Sequence, residues 1–153
     1  MPTPQLLIIS DDRGRVEKIR EHLRVLGPWD VVVESSLQLS RGTLGLMIAD
    51  AVVIDFDGLV DSAKGMGWVS ECRSAFRPVP VVALRDGYDE REALACFELG
   101  VSDVLSLDLH ADRLAHIVTD VTIEASLRTR TRALPAGIRD RLAATSVAAS
   151  RTK

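Results

Sequence analysis

Residues 50–58, Asp50-Ala51-Val52-Val53-Ile54-Asp55-Phe56-Asp57-Gly58, decide how the rest of the chain is read. Four apolar residues between an acid and an acid-glycine turn are too few for a helix. They read as a strand buried on both faces, as in a parallel sheet. Asp55 then falls at the carboxyl end of that strand, the edge of an open α/β sheet where strand ends and helix N-termini converge on ligands.

Working outward from Asp55, the same pattern recurs. Gln5 to Ser10 (QLLIIS) is a second buried strand, and it also runs into acids, Asp11 and Asp12. Val16, Ile19, Leu23 and Leu26 follow at spacings of three and four, which predicts an amphipathic helix stopped by Gly27-Pro28. Asp30 to Glu34 predicts another strand, and Leu37 to Leu46 a weak helix loosened by Gly42 and Gly45. After Asp55, Gly58 to Gly67 reads as a loose connection and Trp68 to Phe76 as a helix. Val79 to Leu84 is a strand, Tyr88 to Leu99 a helix stopped by Gly100, and Asp103 to Leu107 the last strand. Leu114, Ile117, Val118, Val121 and Ala125 mark a long final helix from Ala111. Five strands alternating with five helices predict an α/β, doubly wound parallel sheet with helices on both faces.

Composition bounds what such a chain can be. Its 153 residues, 46% hydrophobic and 27% charged, suffice for one globular core. The formal charge of -3 is uneven: from Ala125 onward seven basic residues face the single acid Asp140. That argues for residues 1–128 as the domain and 129–153 as a basic helical extension or tail, more often a solvated end than a nucleic-acid arm. Without a basic segment ahead of the first apolar run, or any run of membrane-spanning length, the expectation is a cytoplasmic protein with no membrane partner. Cys72 and Cys96 lack metal-ligand spacing and read as buried thiols. His22, His110 and His116 have no nucleophile beside them in the pattern and read as structural.

SDD after the first strand, VVIDFD at the third, the spacing from Arg85 to Gly100, and GVSDVLSLDL together resemble the receiver domain of bacterial two-component response regulators. The resemblance covers roughly residues 5–128. It implies a flavodoxin-like sheet of order 2-1-3-4-5 and a phosphorelay function, not catalysis of a metabolic reaction. It implies Asp55 as the phosphoacceptor and a histidine kinase or phosphotransfer protein as donor. Charging an anion with an anion needs a bridging cation. By analogy with the family, Mg2+ would be held by Asp11 or Asp12, by Asp55 and by the backbone carbonyl of Asp57. Counting back from Gly27, Ser10 and Asp11 fall where the family has its two acids.

Two departures stand beside these matches. Arg85 occupies the place of the family's Thr or Ser, and Leu107 the place of its lysine, with Asp108 where a proline follows it. Arg85 is therefore expected to pair with Asp55 or its neighbours and hold the site in one state. The alternative reading is an atypical pseudo-receiver that binds partners regardless of phosphate. Either way, the surface from Tyr88–Leu99 through Asp103–Leu107 to the last helix is the expected contact for a downstream partner, and the last helix is a candidate homodimerisation element. A plainer competitor makes Asp11-Asp12 only a helix start. Val-Ile-Asp-Phe-Asp-Gly also looks like the first motif of haloacid-dehalogenase-type phosphatases, with Asp55 as nucleophile and Asp57 as acid/base. Leu59 stands where that family has threonine, however, and no later lysine and acid pair completes the set.

Overall fold

The computed structural model describes residues 4–26, 29–36, 49–74, 79–87 and 89–133. The helix expected over Leu37–Leu46 lies outside them. Five strands, β1 (Gln5–Ile9), β2 (Asp30–Glu34), β3 (Ala51–Asp55), β4 (Val81–Leu84) and β5 (Asp103–Leu105), form one sheet of order β2-β1-β3-β4-β5. Every pairing is parallel, with Leu6 beside Ala51 and Asp55 beside Leu84. Helices α1 (Arg13–Leu23), α2 (Ala63–Ser74), α3 (Glu90–Glu98) and α4 (Leu107–Ala133) follow β1, β3, β4 and β5.

The strands read as unbroken apolar runs because side chains alternate between two buried faces. Leu7, Ile9, Val52, Ile54, Val81 and Ala83 pack with Val69, Cys72 and Cys96 on one face. Leu6, Ile8, Ala51, Val53, Val82 and Leu84 pack with Val16, Ile19, Leu23, Leu114 and Val118 on the other. Every residue of β3 is buried, Asp55 included, as expected for the central strand.

Boundaries shift where glycine or turn chemistry was read too literally. The connection expected to run to Gly67 is a 3-10 turn, Phe56–Gly58, and α2 already begins at Ala63. Gly65 does not break that helix: a side chain there would collide with the Phe56 ring, so the residue marks close packing. The first helix ends at Leu23 and tightens into a 3-10 turn over Arg24–Leu26. The last strand stops at Leu105, and Leu107 opens α4, which bends at His110 (φ −120°, ψ 17°) before the long run foreseen from Ala111. By internal contacts the chain forms two units, Met1–Thr122 and Ile123–Lys153, and the whole sheet lies in the first. No helix among the described residues is long and apolar enough to cross a membrane.

This topology fixes where the site must be. β1 sits between β2 and β3, so the chain leaves the carboxyl ends of β1 and β3 toward opposite sides of the sheet. The crevice between those two ends receives Ser10, the residue just past β1, and Asp55, the last residue of β3.

Candidate functional site

Asp55 closes β3 with no solvent exposure. A carboxylate there must be paired, since an isolated buried charge is costly. Three groups meet it. Ser10 donates its hydroxyl to Oδ2 at 3.0 Å. The Arg15 guanidinium donates from Nε to both carboxylate oxygens, at 3.0 and 2.9 Å, and from Nη2 to Oδ1 at 2.9 Å. With the Arg15 side chain only 20% exposed, this is a forked, largely desolvated ion pair. Hydrogen bonding to Asp55 raises the guanidinium's proton affinity far above its ordinary value, so it carries its charge throughout the accessible pH range.

Arg15 reaches Asp55 because of where α1 begins. Asp12 is the N-cap, accepting the Arg15 backbone N–H at 3.2 Å, which places Arg15 in the first helical turn. Side chains on a helix lean toward its N-terminus, here toward the strand ends. The first turn of a helix disfavours cations and α1 has no acid there. Arg15 is tolerated because two anions face it: Asp55, and Asp86, whose Oδ2 accepts from Nη1 at 3.1 Å.

Asp86 carries the network onward. Its Oδ1 accepts the Ser106 hydroxyl at 2.6 Å and the Asp108 backbone N–H at 3.2 Å. Burial alone would raise its pKa, but the bonds from Ser106, Asp108 and Arg15 outweigh burial and lower it. A proline at 108 would have no N–H to give. Ser106, itself buried, also accepts the Leu109 N–H at 3.2 Å, and its own N–H donates to His110 Nδ1 at 3.0 Å. The start of α4 is thus tied to Arg15 through one carboxylate.

Each residue singled out from sequence has a definite place. Asp11 does not face Asp55. Its oxygens accept from the Ser35 hydroxyl (2.9 Å), the Ser36 N–H (2.8 Å), the Ser36 hydroxyl (2.6 Å) and the Val60 N–H (2.8 Å). Burial works against the charge, but the bonds from Ser36, Val60 and Ser35 prevail and lower its pKa. Asp12 is the helix cap, as the plainer reading had it. Asp57 turns to Arg85, whose Nη1 donates to it at 3.1 Å, and to the Asp86 N–H at 2.5 Å. Arg85 also bonds Glu92 at 3.2 Å, so it neutralises a neighbour of Asp55 and leaves Asp55 itself to Arg15. Leu107 is buried with Leu6, Ile8 and Leu114 and presents no cation. Cys72 and Cys96 are buried free thiols, the first pushed up to about 12 by burial, which leaves it inert as a nucleophile.

Arg15 was the residue missed. Its signal was local: a basic residue in the first turn of a helix, just past an acidic turn, where an acid is the rule.

The donor set does not suit a resident divalent cation. Both Asp55 oxygens are engaged by Arg15 and one also by Ser10, while Asp11 is saturated by four donors. Among the described residues no three His, Cys, Asp or Glu side chains gather as metal ligands. A cleft of about 230 Å³ lies beyond Arg85, lined by Phe56, Met66, Glu92, Ala93 and Cys96, and does not include Asp55.

Comparison with known proteins places the fold. No protein-family model and no curated protein matches the chain. Among solved structures it is similar to a response regulator from Chloroflexus aurantiacus (22% identity, 80% of this chain and 99% of that one, TM-score 0.68). It is also similar to a signal receiver domain of a two-component histidine kinase from Clostridium thermocellum (19%, 78% and 97%, TM-score 0.67). A third neighbour is the receiver domain of Francisella response regulator 1452 (20%, 80% and 98%, TM-score 0.67). The chain therefore has the flavodoxin-like fold of receiver domains.

Two outcomes follow from this geometry. A Cβ on Gly58 would collide with Asp55 Oδ2 and Ser10 Oγ, so Gly58→Ala should cost about 2–3 kcal/mol, read as a lower urea midpoint at unchanged m. Asp11 and Asp86 have folded pKa values below the unfolded carboxylate value of about 3.9. Their contribution is complete above that value and is lost as pH falls through the lower folded values. Tm should therefore drop steeply below about pH 4, and Asp11→Asn should flatten part of that drop while lowering Tm at pH 5.

Proposed function

We propose that this chain is a receiver-like signalling module that works through protein contacts without phosphoryl transfer, its site held in one state by its own side chains. The observation that carries this reading is the engagement of Asp55. A phosphoacceptor must present a free oxygen to phosphorus, in line with the leaving group, beside a cation that can share the incoming charge. Asp55 is fully buried, both of its oxygens accept from Arg15, and Oδ2 accepts from Ser10 as well. The groups that would register a phosphate are absent by residue type, with Arg85 committed to Asp57 and Glu92 and Leu107 in the core.

The output surface is the one formed by α3, β5 and the start of α4. Leu94, Phe97 and Leu109 are 59%, 47% and 77% exposed there, an apolar character that suits a protein partner in a signalling pathway of the two-component type. The tie from Arg15 through Asp86 to Ser106 and Asp108 fixes the backbone behind that surface. Nothing in this arrangement calls for phosphatase chemistry, because Asp57, the acid/base of that reading, is bonded to Arg85 and to the Asp86 N–H.

Intact-protein mass after incubation with acetyl phosphate and Mg2+ tests the proposal, with Asp55→Asn alongside. The expected result is no added phosphoryl group on either protein. A gain on the natural chain that Asp55→Asn lacks would replace this reading with that of a working phosphoacceptor.

A further inference from the structure

We propose that Arg15 is a resident counter-ion that keeps divalent metal out of the strand-end crevice, and that removing its charge turns the crevice into a divalent-cation site. The inference deepens the phosphate-independent reading and rests on it. Its test uses metal and stability, not phosphoryl transfer, so the two can fail separately.

The argument starts from charge and space. Arg15 fills the volume between two carboxylates from different strand ends, with Asp55 on its Nε and Nη2 and Asp86 on its Nη1. Asp86 Oδ2 accepts from Arg15 Nη1, whereas its other oxygen serves Ser106 and Asp108. Without the guanidinium, two anions and the Ser10 hydroxyl would border the vacated volume. An oxygen-rich, doubly negative space is what hard divalent cations such as Mg2+ and Mn2+ take, keeping some of their waters. Asp11 and Asp12, the acids that resemblance would recruit, play no part: one is saturated by Ser35, Ser36 and Val60, and the other caps α1. The latent ligand pair is Asp55 with Asp86, and a single positive charge delivered by α1 holds it closed.

A tethered cation differs from a bound ion in one respect that can be measured. It cannot leave, so the folded protein should be indifferent to metal concentration. Three proteins separate the possibilities: the natural chain, Arg15→Gln, which keeps bulk and loses charge, and Arg15→Lys, which keeps charge and loses the fork. Each is followed by thermal unfolding and by Mn2+-induced broadening of amide NMR signals. The natural chain should show neither a Tm change nor selective broadening at millimolar Mn2+. Arg15→Gln should melt about 10 °C lower, because it strands a buried carboxylate. Mn2+ should restore at least half of that loss and broaden the signals of Ser10, Gly58 and Asp86. Arg15→Lys should stay metal-insensitive. Selective broadening in the natural chain, an Arg15→Gln protein as stable as the natural one, or a weakened one that Mn2+ fails to rescue would each overturn the proposal. Should Arg15→Gln not fold, the double variant Arg15→Gln/Asp55→Asn, which removes both charges, is expected to fold and to ignore Mn2+. Failure of that double variant to fold would also overturn it, by showing that Arg15 is needed for more than its charge.

Discussion

A carboxylate with no exposure at the end of the central strand dictates most of what surrounds it. Asp55 cannot sit there alone, and the protein answers with Arg15, held at 2.9–3.0 Å through three N–H···O bonds. Such a pair is weak evidence for net stability, because desolvating two charges consumes much of their attraction. What it does impose is a penalty on separating the partners. Once Asp55 is buried, any arrangement that takes Arg15 away strands a charge at a cost of about 3–5 kcal/mol, which disfavours every such arrangement.

The rest of the site follows as a division of labour between two arginines. Arg15 serves Asp55 and Asp86, and Arg85 serves Asp57 and Glu92. Both receive one carboxylate from the end of β3 or its turn and one from the segment after β4. The two loops are therefore stapled twice, and a third tie, the Asp86 N–H to Asp57, lies between the staples. Gly58 completes the fit, since only a residue without a side chain can pass so close to Asp55 and Ser10.

The sheet was legible because its evidence is periodic and local. Apolar runs ending in acids identify buried parallel strands whatever the remaining sequence does, whereas the pairing of β1 with β3 that sets Ser10 beside Asp55 is seen only in the structure. Side-chain partners are not periodic. Nothing in the string shows whether Arg85 turns toward Asp55 or toward Asp57, and Arg15 lies forty positions from the carboxylate it neutralises. Asp11, Asp12 and Asp57 were equally opaque: three acids at two neighbouring strand ends resemble a metal site, yet Asp11 takes donors from Ser35, Ser36 and Val60, Asp12 caps α1, and Asp57 turns to Arg85 and the Asp86 N–H. The misplaced start of α2 has a similar cause, because Gly65 has the same appearance whether it breaks a helix or makes room for Phe56.

Receiver-type folds lend themselves to switching because the strand-end site and the distal face are joined by short loops, so that a change of charge at one is felt as a change of packing at the other. The same connectivity can hold a single state when the charge is supplied permanently. Here the positive charge comes from the first turn of α1, where the helix's own dipole opposes it, and it stays because two carboxylates face it. A lysine at 107 would have had to leave the core it shares with Leu6 and Ile8, and a proline at 108 would have given up the N–H that binds Asp86. These positions form one consistent set: with Arg15 in place, the lysine has no anion left to serve, and Asp108 is worth more as a donor than as a rigid turn. Leucine at 107 and aspartate at 108 are thus consistent with the cation that α1 delivers, while Arg85 belongs to a separate pairing with Asp57 and Glu92.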